Sequence, residues 1–226
     1  MTVALPGMFS ITFLDNLPEL RHIWLSRCEK VADFSPLRRH EALQKLVLRN
    51  SHHLVDPEVL PPLRMLQTLG LQGSRLQCRL VDLVGETPDL QTLFLDECEW
   101  VNDLSPLTTL PLFQLDLMGC SQLEDIGPIG HLEDLEFLNL SRTPICAVGS
   151  LAKASALKSV LLEGCSNVSD VSPLASLPDL VELEIRGIAP NVDLAPLAEN
   201  RKLRVKIAPG QKVRGAEKLG RRLQVV

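Results

Sequence analysis

Aromatic residues are scarce in this sequence, which has no tyrosine, two tryptophans and six phenylalanines among 226 residues. The apolar fraction of 45% is nonetheless normal for a chain with a packed core. Leucine is by far the commonest residue of that fraction, which is typical of a chain that reuses one apolar residue at fixed positions. The composition therefore indicates an internally repeated core.

The motifs of common enzymes are also missing. We find no GxxxxGK[ST], GxGxxG, HExxH or GxSxG pattern and no CxxC pair, so we expect no catalytic residue, no cofactor and no metal site. No segment reaches the roughly 18 consecutive apolar residues of a membrane span, and residues Met1 to Ser10 lack the basic start and apolar run of a signal peptide. These absences predict a cytoplasmic protein with reduced cysteines that is not an enzyme.

One leucine pattern, LxxLxL, recurs eight times along the chain. Its first leucines are separated by 22 to 24 residues, and they stand at Leu20, Leu43, Leu66, Leu90, Leu112, Leu135, Leu157 and Leu180. Alternation in the L-x-L part directs its two apolar residues inward and the residues between them to solvent. Because a single turn cannot bury its own leucines, the turns are expected to stack and share one core.

This pattern resembles the leucine-rich-repeat family, in the short form of about 22 residues per turn found in internalin-like proteins. The resemblance covers the whole chain as a repeat type. It implies an α/β repeat solenoid, a curved array with a parallel β-sheet on the concave face and short α or 3₁₀ helices on the convex face.

Two further features recur along the chain, the first in every turn and the second in several. Eight residues after the first leucine, where the family prefers Asn or Cys, stand Cys28, Ser51, Ser74, Cys98, Cys120, Thr143, Cys165 and Ile188. We interpret these cysteines as free buried thiols, although stacked thiols could also form disulfides or a metal site. The return segments carry an Asp-x-Ser-Pro-Leu signature, as at 33–37, 103–107 and 170–174. Ser before Pro is typical of an N-cap, so a short helix is predicted to start at each.

The pattern weakens at both ends of the chain. We predict a partial repeat over residues 1–19, an array of about nine turns over 20–207 and a degenerate closing repeat over 208–226. No polar cap is found at the front, which favours a piece of a longer protein. Residues 201–222 hold nine Lys or Arg and one acid. Without interleaved aromatic residues, these charges are better explained as a solvated end than as a nucleic-acid or lipid site.

The outward positions of the strands form the candidate ligand-binding surface. Large apolar side chains rimmed by acids, in positions where water is expected, are typical of a protein contact site. The residues selected are Trp24, Val47, Phe94, Asp96, Asp116, Met118, Phe137, Leu161, Glu163 and Glu184. Their acidity favours a basic or mixed protein partner and argues against nucleic acid on this face.

The cysteine column, the Asp-x-Ser-Pro-Leu return and the start inside a repeat together resemble the C-terminal repeat array of bacterial NLR-like (NACHT or related STAND) ATPases. That resemblance implies a sensor or autoinhibitory module, whose partner is a protein ligand or an upstream domain of the same polypeptide. An internalin-like surface adhesin and a stand-alone regulatory repeat subunit are the alternatives.

Overall fold

A computed structural model of the protein describes residues 2–3, 9–61 and 64–226. Thirteen strands are present in these residues: β1 Thr2–Val3, β2 His22–Leu25, β3 Lys45–Leu48, β4 Thr68–Gly70, β5 Thr92–Phe94, β6 Gln114–Asp116, β7 Phe137–Asn139, β8 Ser159–Leu161, β9 Glu182–Glu184, β10 Val192–Asp193, β11 Arg204–Ile207, β12 Val213–Arg214 and β13 Leu223–Val225. The single α-helix of the described chain is α1, Leu80–Val84. The 3₁₀ helices are Thr12–Asn16, Ser35–Arg39, Pro57–Val59, Ser105–Leu107, Gly127–His131, Gly149–Lys153, Ser172–Ser176, Ala195–Glu199, Ala216–Lys218 and Gly220–Arg222.

The main sheet is a parallel ladder in which each strand pairs with the strand of the next turn. It has 11 strands in the described residues, in the order β1 to β9, then β11 and β13. Equivalent repeat positions pair, as when Leu46 of β3 pairs with Ile23 of β2 on one side and Leu69 of β4 on the other. The predicted repeat solenoid with a parallel sheet and short return helices is therefore confirmed.

The inward side chains of successive turns stack into one continuous core. The second and third apolar positions of the motif are fully buried, with Leu93 and Leu95 at 0% exposure. Residues of the return segments, such as Val171 and Leu174, close the same core from the other side. Each fully buried leucine contributes about 1.5–3 kcal/mol, and no turn could obtain that burial without its neighbours.

The return segments are 3₁₀ helices, but the expected serine cap is wrong. The helices begin at the serine, as in Ser35–Arg39 and Ser172–Ser176. The backbone N–H of that serine donates to the aspartate two residues earlier, with Ser172 N to Asp170 Oδ1 at 2.8 Å. The carboxylate of the Asp-x-Ser-Pro-Leu signature thus supplies the capping acceptor, and proline follows inside the first turn, where no N–H is needed.

Each strand of the main array is followed by a residue in the left-handed region. The position lies seven places after the first leucine of each motif. Examples are Arg27, Glu97, Arg142 and Gly187, with φ values of 62°, 60°, 59° and 69°. The left-handed residue turns the chain so that the next side chain, from the cysteine column, points into the core. Glycine adopts this φ without the Cβ clash that the other residues bear.

Turns continue beyond the eight clear motifs. Ile11 and Leu14 are fully buried at the front, and Val205 of β11 pairs with Leu183, which confirms a ninth strand slipped by one residue. Behind it, β13 pairs with β11, and β10 forms a small separate parallel pair with β12. Counting back one repeat from Val31, Phe34 and Leu37 predicts apolar positions at Met8, Ile11 and Leu14, and Met8 lies outside the described residues. The domain boundaries 1–19, 20–207 and 208–226 stay predictions. No helix in the described ranges is long and apolar enough to cross a membrane.

Candidate functional site on the concave face

The outward side chains of β2 to β9 form an open surface, here called the concave face. In β7, Leu138 points into the core at 2% exposure while Phe137 is 38% exposed. Phe94, Asp116 and Leu161 are likewise partly exposed. The alternation that the sequence predicts is therefore present in the central strands, and it brings side chains from successive turns side by side.

Val47 departs from this prediction. It belongs to an outward position but is only 1% exposed. Its neighbour across the ladder is Gly70, and the Cγ1 of Val47 lies 3.0 Å from where a Cβ on Gly70 would stand. Gln72 closes over the same space, with its Oε1 also 3.0 Å from that point. Because glycine leaves a gap there, Val47 leans into it and is not available as a contact residue.

An aromatic pair dominates the centre of the face. The rings of Phe113 and Phe137 meet edge to face, with centroids 5.2 Å apart and an interplanar angle of 66°. Both remain exposed, at 40% and 38%. Phe113 was not among the predicted site residues, because it stands directly after the first leucine, one place before the strand. Its signal was present in the sequence, since that column otherwise carries mostly polar residues in the preceding turns.

A shallow cavity of about 130 Å³ lies beside the pair. Its walls include Gln114, Asp116, Phe137, Asn139, Ser159 and Leu161. The cavity joins three of the predicted site residues, Asp116, Phe137 and Leu161, on β6, β7 and β8. Its volume is about ten times the minimum that holds one water molecule, so a side-chain head group fits there.

Asp116 of β6 borders this cavity, and Asp96, which follows β5, is close enough to interact with it electrostatically. Burial and, to a smaller extent, the nearby charge of Asp116 together raise the pKa of Asp96 to about 6. Burial also raises the pKa of Asp116, against hydrogen bonds from the Met118 N–H and the Asn139 side chain. Met118 follows β6 and is itself half-buried. The two acids therefore carry charge that the surrounding protein stabilises poorly.

The other predicted acids have intramolecular partners. Arg186 forms ion pairs with Glu163, at 2.9 Å, and with Glu184. Glu184 is only 9% exposed. Lys206 pairs with Glu182 on the next strands. The rim that the sequence predicted to be acidic is thus ion-paired and partly neutralised near β8 to β11.

Trp24 lies apart from the aromatic pair. It is on β2, four strands from β6, which corresponds to about 19 Å at the usual strand spacing. The Lys45 ammonium stands 5.7 Å from its ring centroid. The ten predicted site residues therefore divide into a central group around β5 to β8, an ion-paired end and an N-terminal Trp24 and Val47 group.

The cysteine column lies inside the solenoid. Cys28, Cys98, Cys120 and Cys165 are fully buried with free thiols. The Sγ of Cys98 donates to the Leu71 carbonyl at 3.1 Å, and Cys165 donates to Leu140 at 3.0 Å, each a carbonyl of the preceding turn. Burial raises the pKa of the Cys98 thiol to about 11. The column links neighbouring turns, and no cluster of three metal-ligating side chains occurs among the residues that the structure describes.

The repeated turns, the 11-stranded parallel sheet of the described residues and its open face define a leucine-rich-repeat solenoid. Neither a protein-family model nor a curated protein matches the sequence. Solved structures do match its fold. An internalin of Listeria monocytogenes (inlF) aligns with a TM-score of 0.70 at 20% identity, over 96% of this chain and 72% of that one.

Two other leucine-rich-repeat structures also align with the fold of this chain. A leucine-rich-repeat protein of Leptospira interrogans aligns with a TM-score of 0.55 at 14% identity, over 100% of this chain and 83% of that one. The plant peptide hormone receptor RGFR1, solved in complex with RGF2, aligns with a TM-score of 0.56 at 14% identity, over 92% of this chain and 38% of that one. At these identities, the similarity establishes the fold.

Proposed function

We propose that this chain is a protein-interaction module that binds its partner on the concave face between β5 and β8. The observation that carries the proposal is the exposed Phe113 and Phe137 pair beside the cavity bordered by Asp116 and Leu161. Exposed aromatic residues at the centre of a preorganised surface are typical of interaction hot spots. The sheet holds them rigidly, which reduces the entropy lost on binding.

The fold supports a binding role more than a catalytic one. The described concave face is open, whereas general acid–base chemistry requires groups held within hydrogen-bond reach of a bound substrate. Among the structures with this fold is a receptor in complex with a peptide hormone. Partner recognition by the same kind of surface is therefore the function we propose here.

We further propose that the module is the sensor or autoinhibitory region of an NLR-like ATPase in the cytoplasm. The cysteine column and the Asp-x-Ser-Pro-Leu returns support this assignment, and the free buried thiols suit a reducing compartment. The similarity to an internalin favours the alternative of a surface adhesin. A stand-alone regulatory subunit remains the third hypothesis. Nucleic acid is not the proposed partner, because the central carboxylates would repel phosphates.

The test is affinity capture from the lysate of the producing cell, with mass spectrometry as the readout. The baits are the wild-type chain, the Phe113→Ala/Phe137→Ala variant and a Val55→Ala/Val81→Ala control. The control removes apolar side chains that are also exposed, at 41% each, but lie outside the strands of the concave face.

We expect a protein captured by the wild type and the control to fall at least tenfold with the phenylalanine variant. Loss of one hot-spot aromatic residue costs about 2 kcal/mol or more of binding free energy. The loss of two should therefore weaken binding by more than tenfold. Circular dichroism should show the same folded signal for all three baits. Equal capture by all three would contradict the proposed surface.

A further inference from the structure

Hydrogen-bond acceptors are concentrated on three neighbouring strands of the concave face. Gln72 follows β4, Asp96 follows β5, and Asp116 lies on β6. Gln72 is only 5% exposed, and its Oε1 has no hydrogen-bond partner among the described residues. It lies above Gly70, whose strand partner is Phe94. An unsatisfied buried acceptor is costly to the folded protein, so the Gln72 amide adds to the poorly satisfied acceptors of this region.

No salt bridge to the adjacent carboxylates occurs among the described residues. Neither Asp96 nor Asp116 forms an ion pair within the described chain, although Arg49 is close enough to favour their charged forms. Each is partly buried, so water solvates it incompletely. Hence this part of the face presents two incompletely solvated carboxylates that form no salt bridge within the described chain.

Aromatic and aliphatic side chains lie next to Asp116. Phe137 and Leu161 border the cavity together with Asp116, and Phe113 packs against Phe137. We call Gln72, Asp96, Asp116, Phe113, Phe137 and Leu161 the acid–aromatic site. It combines exposed apolar side chains with the carboxylates of two neighbouring turns.

We propose that the acid–aromatic site binds the guanidinium group of an arginine side chain carried by the protein partner. This inference rests on the proposed interaction function and names the chemistry of its central contact. A guanidinium is planar, stacks on aromatic rings and offers five N–H donors that pair with carboxylates. It is also more weakly hydrated than an ammonium, so arginine suits a partly dry site better than lysine does.

The same face already contains such an arrangement within the chain. Arg186, which follows β9, donates to Glu163 and to Glu184. Glu163 stands in the repeat column of Asp96, and Glu184 stands in the column of Asp116. Near β5 and β6 the same two columns hold Asp96 and Asp116. Neither of these acids forms an ion pair with an arginine of the described chain. An arginine from a partner would complete the equivalent contact there.

The test starts from a random dodecapeptide library displayed on phage, selected against the immobilised wild-type chain. The selected peptide is then synthesised in two forms, one with arginine and one with the uncharged isostere citrulline. Affinities are measured by calorimetry for the wild type, for Asp96→Asn/Asp116→Asn and for a Glu133→Gln/Asp134→Asn control. The control removes the same charge from two exposed residues outside the strands.

The asparagine variant should fold normally. Asn139 already occupies the position of Asp116 in the next turn, and its Oδ1 accepts the Ser141 N–H at 3.0 Å as Asp116 Oδ1 accepts the Met118 N–H at 3.0 Å. An amide oxygen can therefore replace the carboxylate in this local hydrogen bond. A change in peptide affinity would then report the lost charge and not a lost turn.

We expect selected peptides to share an arginine, and we expect citrulline or the asparagine variant each to weaken binding by about 30-fold, as for a desolvated charge pair. The control variant should retain wild-type affinity. Binding should also strengthen as the pH rises through about 6, where the Asp96 carboxyl, with its raised pKa, becomes ionised.

Three outcomes would overturn the arginine contact. These are selected peptides without a basic residue, equal affinity of the citrulline form, and no enrichment of any peptide. The first two would leave the interaction surface itself standing if binding is still lost with Phe113→Ala/Phe137→Ala. Failure of the surface as a whole would instead appear as peptide binding that neither the phenylalanine nor the asparagine variant changes.

Discussion

His40 is the least satisfied polar side chain of the core. It is 0% exposed, and neither ring nitrogen has a hydrogen-bond partner among the described residues. Burial lowers its pKa below the ordinary 6.5, although the charge of Asp15 partly opposes that effect. Other turns place leucine three residues before the motif, as at Leu132 and Leu177, each 1% exposed.

We predict that His40→Leu stabilises the protein. The change removes two orphaned nitrogens and restores the residue that the repeat prefers, so the free energy of unfolding should rise by about 1–3 kcal/mol at pH 7.5. Because the folded pKa is lowered, the unfolded state binds more protons and the wild type loses stability as the pH falls through 6.5. The advantage of the variant should therefore be larger at pH 5.5.

Urea unfolding at both pH values measures this difference. His53→Leu serves as the control, since His53 is exposed and its replacement should leave the pH dependence unchanged. An equal loss of stability by the wild type and His40→Leu between pH 7.5 and 5.5 would show that His40 is not the titrating group.

The sequence predicted which side chains point into the core better than it predicted which outward side chains are exposed. The leucine and cysteine columns are buried as the repeat period requires. Val47 and His40 could not be placed in the same way. The burial of Val47 depends on the missing side chain of Gly70 in the next turn, and His40 occupies a leucine position of the return segment.

Among the elements, the return helices differ in how their first turn is capped. Asp33, Asp103, Asp125, Asp170 and Asp193 each accept the backbone N–H of the residue two places later, at 2.7 to 2.9 Å. The helix Gly149–Lys153 has Ala147 at the corresponding position. The residues preceding the two helices have similar backbones, with φ −117° and ψ 15° at Val148 and φ −112° and ψ 5° at Val171.

Ala147→Asp should therefore supply the missing acceptor to the Gly149 N–H. We expect a gain of about 0.5–1 kcal/mol in the free energy of unfolding, and we expect Asp170→Ala to lose a similar or larger amount, as for other helix-capping side chains. Thermal unfolding with matched baselines would measure both. Destabilisation by Ala147→Asp would contradict the capping role that we assign to the signature aspartate.

The sequence predicted where these helices occur but not which residue caps them. A Ser-Pro pair fixes the start of a helix within about one residue. The serine can therefore be either the N-cap or the first helical residue. The aspartate in front of the pair carried the missing information, since Asp accepts from a backbone N–H two residues on.

At the scale of the whole molecule, the chemistry of the concave face changes along the sheet. The end of the sheet near β9 and β11 is ion-paired through Arg186 and Lys206, while the centre combines Phe113 and Phe137 with incompletely solvated acids. A repeat period predicts the columns, because equivalent positions must pair across a parallel ladder. It does not predict which neighbours lean together, as the burial of Val47 over Gly70 shows.

Site-specific photo-crosslinking tests the central claim, binding on the concave face, most directly. A benzoylphenylalanine replaces either Phe137 or Val81, which is 41% exposed on α1 of the opposite side, and each variant is irradiated in the lysate of the producing cell. We predict a discrete adduct with one protein from position 137 and none with that protein from position 81. Adducts from position 81 alone, or none from position 137, would contradict a partner bound on the concave face.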